Sequence, residues 1–326
     1  GRIEMKPDEP ATLYLEVHPE GGPPSSVVHA GAAIAPWKLQ PSAPRPDDFD
    51  AFWEGKLKAL AEIPMNPKLT PTETAKPGVE LYTVKLDSVG SNVQGYLAKP
   101  AREGKFPALV IYQYAGVYAL KPQTVTDRAA EGWLAFDVDS HDMPPSQAAG
   151  VSPSYQKIGN SSRETCYFLN MYLRDSRALD YIRTRPDWDG KTLVIMGTSM
   201  GGQQSLVTAG LNPNLTAVIV NEPAGADLNG DLHGRKAGYP NWPSNDPDVM
   251  KTAPYFDTVN FASRIKAPVL AGVGYIDTTT PPVGIWIAVN QIPAPVEVIP
   301  MVESDHNNRT PDKQGALLSR IKEVLH

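Results

Sequence analysis

The sequence has little of several features that define large classes of protein. Cys166 is the single cysteine among 326 residues, which excludes an intramolecular disulfide framework and a thiolate metal cluster. No apolar run approaches the roughly 18 residues of a membrane-spanning helix, so we expect no membrane partner. Positive charge is also scarce, because 30 Lys and Arg stand against 36 Asp and Glu. The net charge of -6 offers no general attraction to phosphate backbones, and nucleic acid is not expected as a partner.

What the chain does contain is the composition of a globular protein, with 41% hydrophobic and 20% charged residues. A chain of this length forms one large domain or two and buries roughly three quarters of its unfolded surface. A proline-rich segment at residues 41–46 divides it. Before this segment, apolar and polar side chains alternate over residues 11–17, as in a half-buried strand. We therefore predict a β-rich appendage at residues 1–40 and the main domain at residues 41–326.

The main domain opens with a predicted helix and continues with alternating strands and helices. Asp47 and Asp48 are interpreted as the N-terminal cap of the first helix, and apolar residues recur at helical spacing from Phe49 to Leu60. A β-rich stretch is predicted at 79–86 and 93–98, followed by buried strands at 108–112, 133–138, 193–196, 217–220, 269–273 and 296–301, with a helix at 167–184. Continuous apolar strands separated by helices predict an α/β fold with a mostly parallel, doubly wound sheet.

A Gly-x-Ser-x-Gly motif occupies residues 197–201. A predicted strand runs directly into it and a helix-compatible segment follows, which is the context of a nucleophile elbow. Gly197 and Gly201 remove the Cβ atoms that would clash in such a sharp turn, so Ser199 is predicted to be a nucleophile at a helix N-terminus. The alternative interpretation is a glycine-rich loop with an incidental serine.

A serine nucleophile requires a base, and three histidines follow Ser199 in the chain. His326 is the terminal residue, and His233 lies in a polar, glycine-rich loop. His306 instead follows the predicted strand at 296–301, and loops at the carboxyl ends of strands are where open α/β sheets assemble their sites. We therefore predict that His306 is the base.

The predicted acid is Asp277, which follows the strand at 269–273. The chain order serine, acid, histidine and the shared strand ends suit a carboxylate that holds His306 in the productive tautomer. Glu303 and Asp305 are the competing acids, but they share a loop with His306 and are interpreted as solvated or supporting carboxylates.

An oxyanion hole needs two backbone N–H groups near the nucleophile. One is expected from Met200, which directly follows Ser199, and the other from Ala115 in the loop after the strand at 108–112. An ordinary strand-to-loop turn is the alternative interpretation of this loop.

These residues, together with the helix signature at 45–53, resemble the acetyl xylan esterases and cephalosporin C deacetylases of carbohydrate esterase family seven. The similarity extends from about residue 36 to the C-terminus and includes the segments 171–174, 187–190, 260–262 and 267–270. The resemblance implies an α/β-hydrolase fold and a serine esterase without metal or cofactor that removes acetyl groups from sugars. An acetylated carbohydrate or another small acyl ester is then the expected partner. Family members often form closed oligomers, so oligomerisation stays open.

The chain departs from this family beside the expected acyl site. Gln113 and Tyr114 stand where the family usually has His-Gly, and Met200 stands where it usually has Gln. The change at Met200 is mild, because any residue but proline supplies the N–H. The ring of Tyr114 is expected to lie at the substrate pocket and to alter the acyl or leaving-group preference. His141, where the family tends to have His-Gly, is interpreted as structural.

Within the family, the chain resembles members that carry an immunoglobulin-like sandwich before the hydrolase domain, and its N-terminal appendage resembles only the tail of that sandwich. The chain opens with Gly1 and Arg2 rather than methionine, so we expect either an artificial start or the removal of an export signal. A secreted or periplasmic bacterial protein is the resulting expectation. Two other functions stay open: a prolyl-oligopeptidase-like serine peptidase, and a carbohydrate-binding homologue whose site is impaired.

Overall fold

The computed structural model describes residues 8–23, 26–307 and 310–326. Gly1 and Arg2, on which the export expectation depends, lie outside these residues, as does part of the predicted appendage. Two strands, β1 (Ala11–Val17) and β2 (Val28–Ile34), form a separate antiparallel sheet. We call them the N-terminal strand pair.

A nine-stranded sheet forms the centre of the protein. Its strands are β3 (Lys68–Thr72), β4 (Val79–Ser88), β5 (Ser91–Pro100), β6 (Phe106–Tyr112), β7 (Leu134–Asp139), β8 (Trp188–Thr198), β9 (Ala217–Asn221), β10 (Val269–Gly274) and β11 (Val296–Met301). The spatial order is β11-β10-β9-β8-β6-β7-β5-β4-β3. From β7 to β11 every neighbouring pair is parallel, whereas β3, β4 and β5 pair antiparallel at the other end. The predicted, mostly parallel sheet is confirmed.

Helices cover both faces of this sheet. They are α1 (Phe49–Ala61), α2 (Gln123–Ala130), α3 (Tyr167–Thr184), α4 (Met200–Leu211), α5 (Pro247–Thr252), α6 (Thr258–Ala262), α7 (Pro282–Asn290) and α8 (Pro311–Leu325). On β8, Ile195 belongs to the core formed with α3, α4 and α7, while its neighbour Val194 belongs to the core formed with α2 and α8. Because successive strand residues point to opposite faces, a strand buried on both sides needs a continuous apolar run. None of the helices in the described residues is long and apolar enough to cross a membrane.

The sequence pattern did not predict β3, which lies at the edge of the sheet. Its five residues are mostly polar and include Pro71, which lacks the N–H that an interior strand must donate. A strand held on one side only can form from such residues, because pairing with β4 is enough to place it.

The first helix is present, but its cap differs from the prediction. Asp48 occupies the N-cap position, yet its side chain caps no backbone N–H. Its carboxylate instead accepts hydrogen bonds from Arg163 and Tyr255, and it thereby ties the start of α1 to two other segments. Trp53, on the buried face of α1, is fully buried and donates from Nε1 to the carbonyl of Tyr255 at 3.0 Å.

The apolar side chains of the N-terminal strand pair are less buried than the alternation suggested. Leu15 and Val17, expected on a buried face, remain 40% and 45% exposed. The chain becomes firmly attached to the main body after β2, where Leu39 is buried against α7 and Asn290 donates to the carbonyls of Pro36 and Leu39. The predicted division of the chain at residue 40 stays a prediction.

Candidate active site

Ser199 lies in a sharp turn between the end of β8 and the start of α4. Its backbone has φ 57° and ψ -122°, a conformation that side-chain-bearing residues rarely adopt. A Cβ on Gly197 would lie 2.2 Å from the carbonyl carbon of Gly201, and a Cβ on Gly201 would lie 2.2 Å from the carbonyl oxygen of Tyr112. Glycine is therefore required at both positions for the turn to close, as the motif indicated.

The hydroxyl of Ser199 meets the imidazole of His306. The distance between Ser199 Oγ and His306 Nε2 is 2.9 Å, which is within hydrogen-bonding range. His306 lies in the loop after β11, and Ser199 is almost completely buried. The other two histidines considered are elsewhere: His233 is exposed in a short 3₁₀ helix, and His326 is exposed at the chain end.

Asp277 lies on the opposite side of the same imidazole. Its Oδ2 is 2.7 Å from His306 Nδ1. The carboxylate is fixed by three further donors in its own loop, since the N–H groups of Thr279 and Thr280 bind Oδ1 and the hydroxyl of Thr280 binds Oδ2, each at 2.8 Å. The competing acids do not make this contact: Asp305 accepts from the N–H of Asn307, and Glu303 is exposed.

The two predicted oxyanion donors lie on the two elements expected. Met200 is the first residue of α4, and Ala115 lies in the loop after β6. Within the described residues, no acceptor takes a hydrogen bond from either N–H. A helix N-terminus with an unused N–H favours a negatively charged oxygen. The role of the two groups stays a prediction.

Gln113 and Tyr114, the two residues expected beside the acyl site, take different positions. Gln113 is buried, and its side-chain amide accepts from the N–H of Ser140 at 2.9 Å and donates to the carbonyl of Tyr118 at 3.2 Å. Its side chain thus holds the loop in place. Tyr114 is 52% exposed and its ring stacks on Tyr118 with a centroid distance of 4.6 Å. Of the two, Tyr114 is the residue whose ring a ligand can reach.

Two side chains bind the backbone of Gly116, the residue after Ala115, and no sequence pattern predicts these contacts. His141 Nε2 lies 2.9 Å from the carbonyl oxygen of Gly116, and the N–H of Gly116 donates to the hydroxyl of Tyr155. Burial lowers the pKa of His141 to about 4, so its ring is neutral near pH 7. Because a carbonyl can only accept, Nε2 carries the proton and Nδ1 accepts from the hydroxyl of Tyr167 at 2.9 Å. His141 thus contacts a loop backbone group, and its structural role stays a prediction.

A second carboxylate, Glu222, lies close to the pair of Asp277 and His306. Glu222 follows β9, is fully buried, and accepts from the hydroxyl of Ser304 at 3.0 Å. One ligand atom from each of the three residues lies within 4.8 Å of the others, which is compact enough for a metal ion. His306 Nδ1 and Asp277 Oδ2 are, however, already hydrogen-bonded to each other. The arrangement is therefore better described as a hydrogen-bonded network around the imidazole.

Comparison with known proteins places this geometry in a family. The family profile described as Acetyl xylan esterase (AXE1) matches residues 37–230 and 238–319. The acetyl esterase Axe7A of Xylanibacter ruminicola is 34% identical over 296 residues, which are 85% of this chain and 67% of that protein. The solved acetyl xylan esterase from Paenibacillus sp. R4 has a TM-score of 0.77 at 25% identity and covers 88% of this chain and 98% of its own.

A second solved structure, Acetyl Xylan Esterase 1 from Thermoanaerobacterium sp. JW/SL YS485, has the same fold. Its TM-score is 0.76 at 21% identity, with coverage of 89% of this chain and 98% of its own. The family resemblance inferred from the sequence is thus confirmed, and of the three functions considered it supports the ester hydrolase. The chain belongs to the acetyl xylan esterase family and is a carboxylic ester hydrolase with the α/β-hydrolase fold.

Proposed function

We propose that this enzyme removes acetyl groups from acetylated saccharides of the xylan type, by acyl transfer through Ser199. One observation carries the proposal: an unbroken line of hydrogen bonds runs from Ser199 Oγ through His306 to Asp277, with distances of 2.9 Å and 2.7 Å. The three side chains come from three different strand ends, so the line requires the whole fold to form. Similarity to acetyl and acetyl xylan esterases supports the choice of acyl group and sugar.

In the first half-reaction, Ser199 Oγ attacks the acetyl carbonyl carbon while His306 Nε2 takes the hydroxyl proton. Asp277 holds the imidazole with Nδ1 toward itself and stabilises the positive charge that forms on the ring. The carbonyl oxygen becomes an oxyanion, which the N–H groups of Met200 and Ala115 bind. The tetrahedral intermediate then collapses, the sugar oxygen leaves with the proton from Nε2, and Ser199 keeps the acetyl group.

In the second half-reaction, water attacks the acetylated serine. His306 Nε2 takes a proton from the water, and the same two N–H groups bind the second oxyanion. Collapse breaks the bond to Ser199 Oγ, which recovers its proton from the imidazole, and acetate is released. The atoms balance with one ester and one water giving one alcohol and one acetic acid, and no cofactor is needed.

The test is Ser199→Ala with acetylated xylan and with ethyl acetate as substrates, measured as acetate release. We expect kcat to fall by about 10⁴- to 10⁶-fold, because the nucleophile itself is removed. Ser205→Ala is the matched control, because it removes a buried hydroxyl of the same helix that donates to the carbonyl of Gly201, and it should keep activity within a few-fold. Retained activity of the Ser199 variant would show that another residue is the nucleophile. If the native enzyme hydrolyses ethyl acetate but releases no acetate from xylan, the mechanism stands and xylan is not its substrate.

A further inference from the structure

The N-terminal strand pair turns one particular face toward the main domain. Tyr14 pairs with Gly31 and Glu16 with His29, and directly paired residues of two strands point to the same face. A Cβ on Gly31 would lie only 2.5 Å from the Cβ and from the carbonyl oxygen of Tyr275. Gly31 therefore lets the backbone of the strand pair rest directly on the loop after β10, which also carries the acid of the proposed triad. The same contact brings the rings beside Gly31 close to the active site.

Between the strand pair and the main domain lies a cavity of about 200 Å³. Among the residues that line it are Tyr14 and His29 from the strand pair, and Thr278, Asp305, His306 and Asn307 from the main domain. Its volume is below the roughly 300–1,000 Å³ of pockets for drug-sized ligands, and it suits a single small ring. Two aromatic rings on one wall and hydroxyl, carboxylate and amide groups on the other give it both an apolar platform and hydrogen-bonding partners.

The two rings of the platform are fixed by their own hydrogen bonds. The Tyr14 hydroxyl lies 2.7 Å from His29 Nδ1 and 3.2 Å from Glu16 Oε1, and the ring centroids of Tyr14 and His29 are 5.6 Å apart. The hydroxyl has one proton, so donation to Glu16 leaves its oxygen free to accept from His29 Nδ1. Binding a ligand on these rings would then cost little further side-chain entropy.

The chemistry of the ester decides which part of a substrate reaches this cavity. His306 Nε2 must protonate the leaving oxygen, so the alcohol part of the ester lies on the histidine side of the bond. The acetyl group lies on the other side, toward the N–H groups of Met200 and Ala115. The cavity that His306 shares with Tyr14 is therefore on the leaving-group side. For an acetylated saccharide, the leaving group is a sugar ring.

We propose that Tyr14 and His29 form a binding site for the sugar ring that leaves, so that the N-terminal strand pair completes the substrate site of the main domain. The strand pair lies before residue 37, where the match to the family profile begins, so this contribution is a property of this chain beyond the shared hydrolase domain. Tyr14 also lines a second cavity of about 510 Å³, which extends between β1 and the start of α7. Further rings of an oligosaccharide would lie there. The proposal rests on the proposed function.

The test compares two acetyl esters that differ only in the leaving alcohol: a monoacetylated methyl β-xylopyranoside and ethyl acetate. Ethanol has no ring that could bind on Tyr14 and His29. In Tyr14→Ala, we expect kcat/KM for the xyloside to fall at least tenfold relative to kcat/KM for ethyl acetate, mainly through KM. Tyr14→Phe keeps the ring and should lose much less of this selectivity. His29→Ala should shift the ratio in the same direction.

Leu15→Ala is the matched control, because Leu15 is the next residue on β1, is 40% exposed and points to the opposite face. It should leave the ratio unchanged. An equal fall for both esters in Tyr14→Ala, or no fall for either, would overturn the sugar site. A native enzyme that hydrolyses ethyl acetate but not the xyloside would overturn it too, while the esterase mechanism would stand. A native enzyme inactive on both esters would refute the proposed function itself.

Discussion

Ser199 adopts its unusual backbone conformation because several hydrogen bonds determine it. Its N–H donates to the carbonyl of Asn221, and its own carbonyl accepts from the N–H groups of Gln203 and Ala224, each at 3.0 Å. A conformation of this kind costs about 1–3 kcal/mol and persists only where the surroundings impose it. Two strands and the first turn of α4 thus hold the hydroxyl toward His306. The unusual conformation thus falls on the residue whose hydroxyl must reach the imidazole.

Gly116, the residue after Ala115, is held by side chains at both its N–H and its carbonyl, and here a single substitution is informative. In His141→Ala the carbonyl of Gly116 loses its donor, so we expect the loop that also carries the N–H of Ala115 to be positioned less well. We expect kcat for ethyl acetate to fall by about 10- to 100-fold with little change in KM, which is somewhat less than removing an oxyanion donor outright. His141→Gln, which keeps a donor at that position, should recover most of the loss.

This role is also distinguishable by pH. Since burial lowers the pKa of His141 to about 4, the ring stays neutral from pH 5 upward and accepts from Tyr167 throughout that range. The ratio of native to His141→Gln activity should therefore be flat between pH 5 and 8. A ratio that changes across this range would mean that His141 transfers a proton in the reaction rather than positioning the loop.

At the scale of single residues, the predictable part of the site is the part that lies at strand ends. Ser199, Asp277 and His306 could be chosen from the sequence because each follows a recognisable apolar strand. The contacts of His141 and Tyr155 with Gly116 could not be inferred, because these partners are backbone groups of a loop elsewhere in the chain. Gly116 has no side chain from which these contacts could be predicted. Hydrogen bonds of this type leave no periodic pattern in the sequence.

At the scale of the element, β7 combines an apolar strand with two buried carboxylates. Its six residues are all buried between β5 and β6, and they include Asp137 and Asp139. Burial raises the pKa of Asp137 to about 8 and that of Asp139 to about 6. The central position of β7 in the sheet is the cause, since a carboxylate there has lost its water. The folded protein therefore keeps a proton on Asp137 at a pH where the unfolded chain has released it.

The stability of the protein should depend on pH through Asp137. The unfolded carboxyl titrates near pH 4 and the folded one near pH 8, so unfolding releases a proton between these values and becomes easier as the pH rises. The stability that the protonated Asp137 carboxyl contributes is fully present below about pH 4 and is lost by about pH 8. In Asp137→Asn this titration is gone. We expect the melting temperature of the variant, relative to the native protein, to be several degrees higher at pH 8 than at pH 5.

Asp127→Asn provides the control for this measurement, because its carboxylate is exposed on α2 next to Lys76. The melting temperature of this control should follow that of the native protein at both pH values within a degree or two. Parallel melting curves for Asp137→Asn and the native protein across the whole range would mean that Asp137 is not held protonated by the fold.

The strands illustrate which elements a sequence reveals. β6, β8, β9 and β10 are predictable because burial on both faces demands an unbroken apolar run. In the N-terminal strand pair, the alternation of apolar and polar residues predicts strand β1. It does not predict which face of β1 lies against the main domain. The reason is that Gly31, rather than an apolar side chain, makes the close contact with the main domain. A contact that forms because glycine has no side chain cannot be predicted from the pattern of hydrophobic residues.

At the scale of the whole molecule, the N-terminal residues are attached in two steps of different strength. The strand pair is largely exposed and touches the main body through a few residues around Gly31 and Tyr14. The segment from Pro36 to the end of α1 is bound far more firmly. Ser42 donates from its N–H and its hydroxyl to Asp227, Arg45 and Arg264 both bind Asp50, and Phe49 and Trp53 are fully buried.

This difference predicts the outcome of two truncations. A chain that starts at Pro36 keeps all contacts of the firmly bound segment, so we expect it to unfold cooperatively within a few degrees of the native melting temperature and to hydrolyse ethyl acetate. A chain that starts at Ile63 loses α1. Removing one large buried aromatic side chain costs about 3–5 kcal/mol, and α1 contributes Phe49 and Trp53, whereas a whole domain is stable by only about 5–15 kcal/mol. The shorter chain should therefore lack a cooperative transition in calorimetry and be inactive.

The two truncations also separate folding from substrate binding. If the strand pair contributes only the sugar site, the chain from Pro36 should lose its preference for the acetylated xyloside over ethyl acetate, to about the same extent as Tyr14→Ala. A cooperative transition in the chain from Ile63 at the native temperature would contradict the view that α1 belongs to the core. Loss of folding in the chain from Pro36 would make the strand pair a structural part of the hydrolase domain. The domain would then begin at residue 11 instead of Pro36, and the contact of Gly31 with Tyr275 would be a stabilising one.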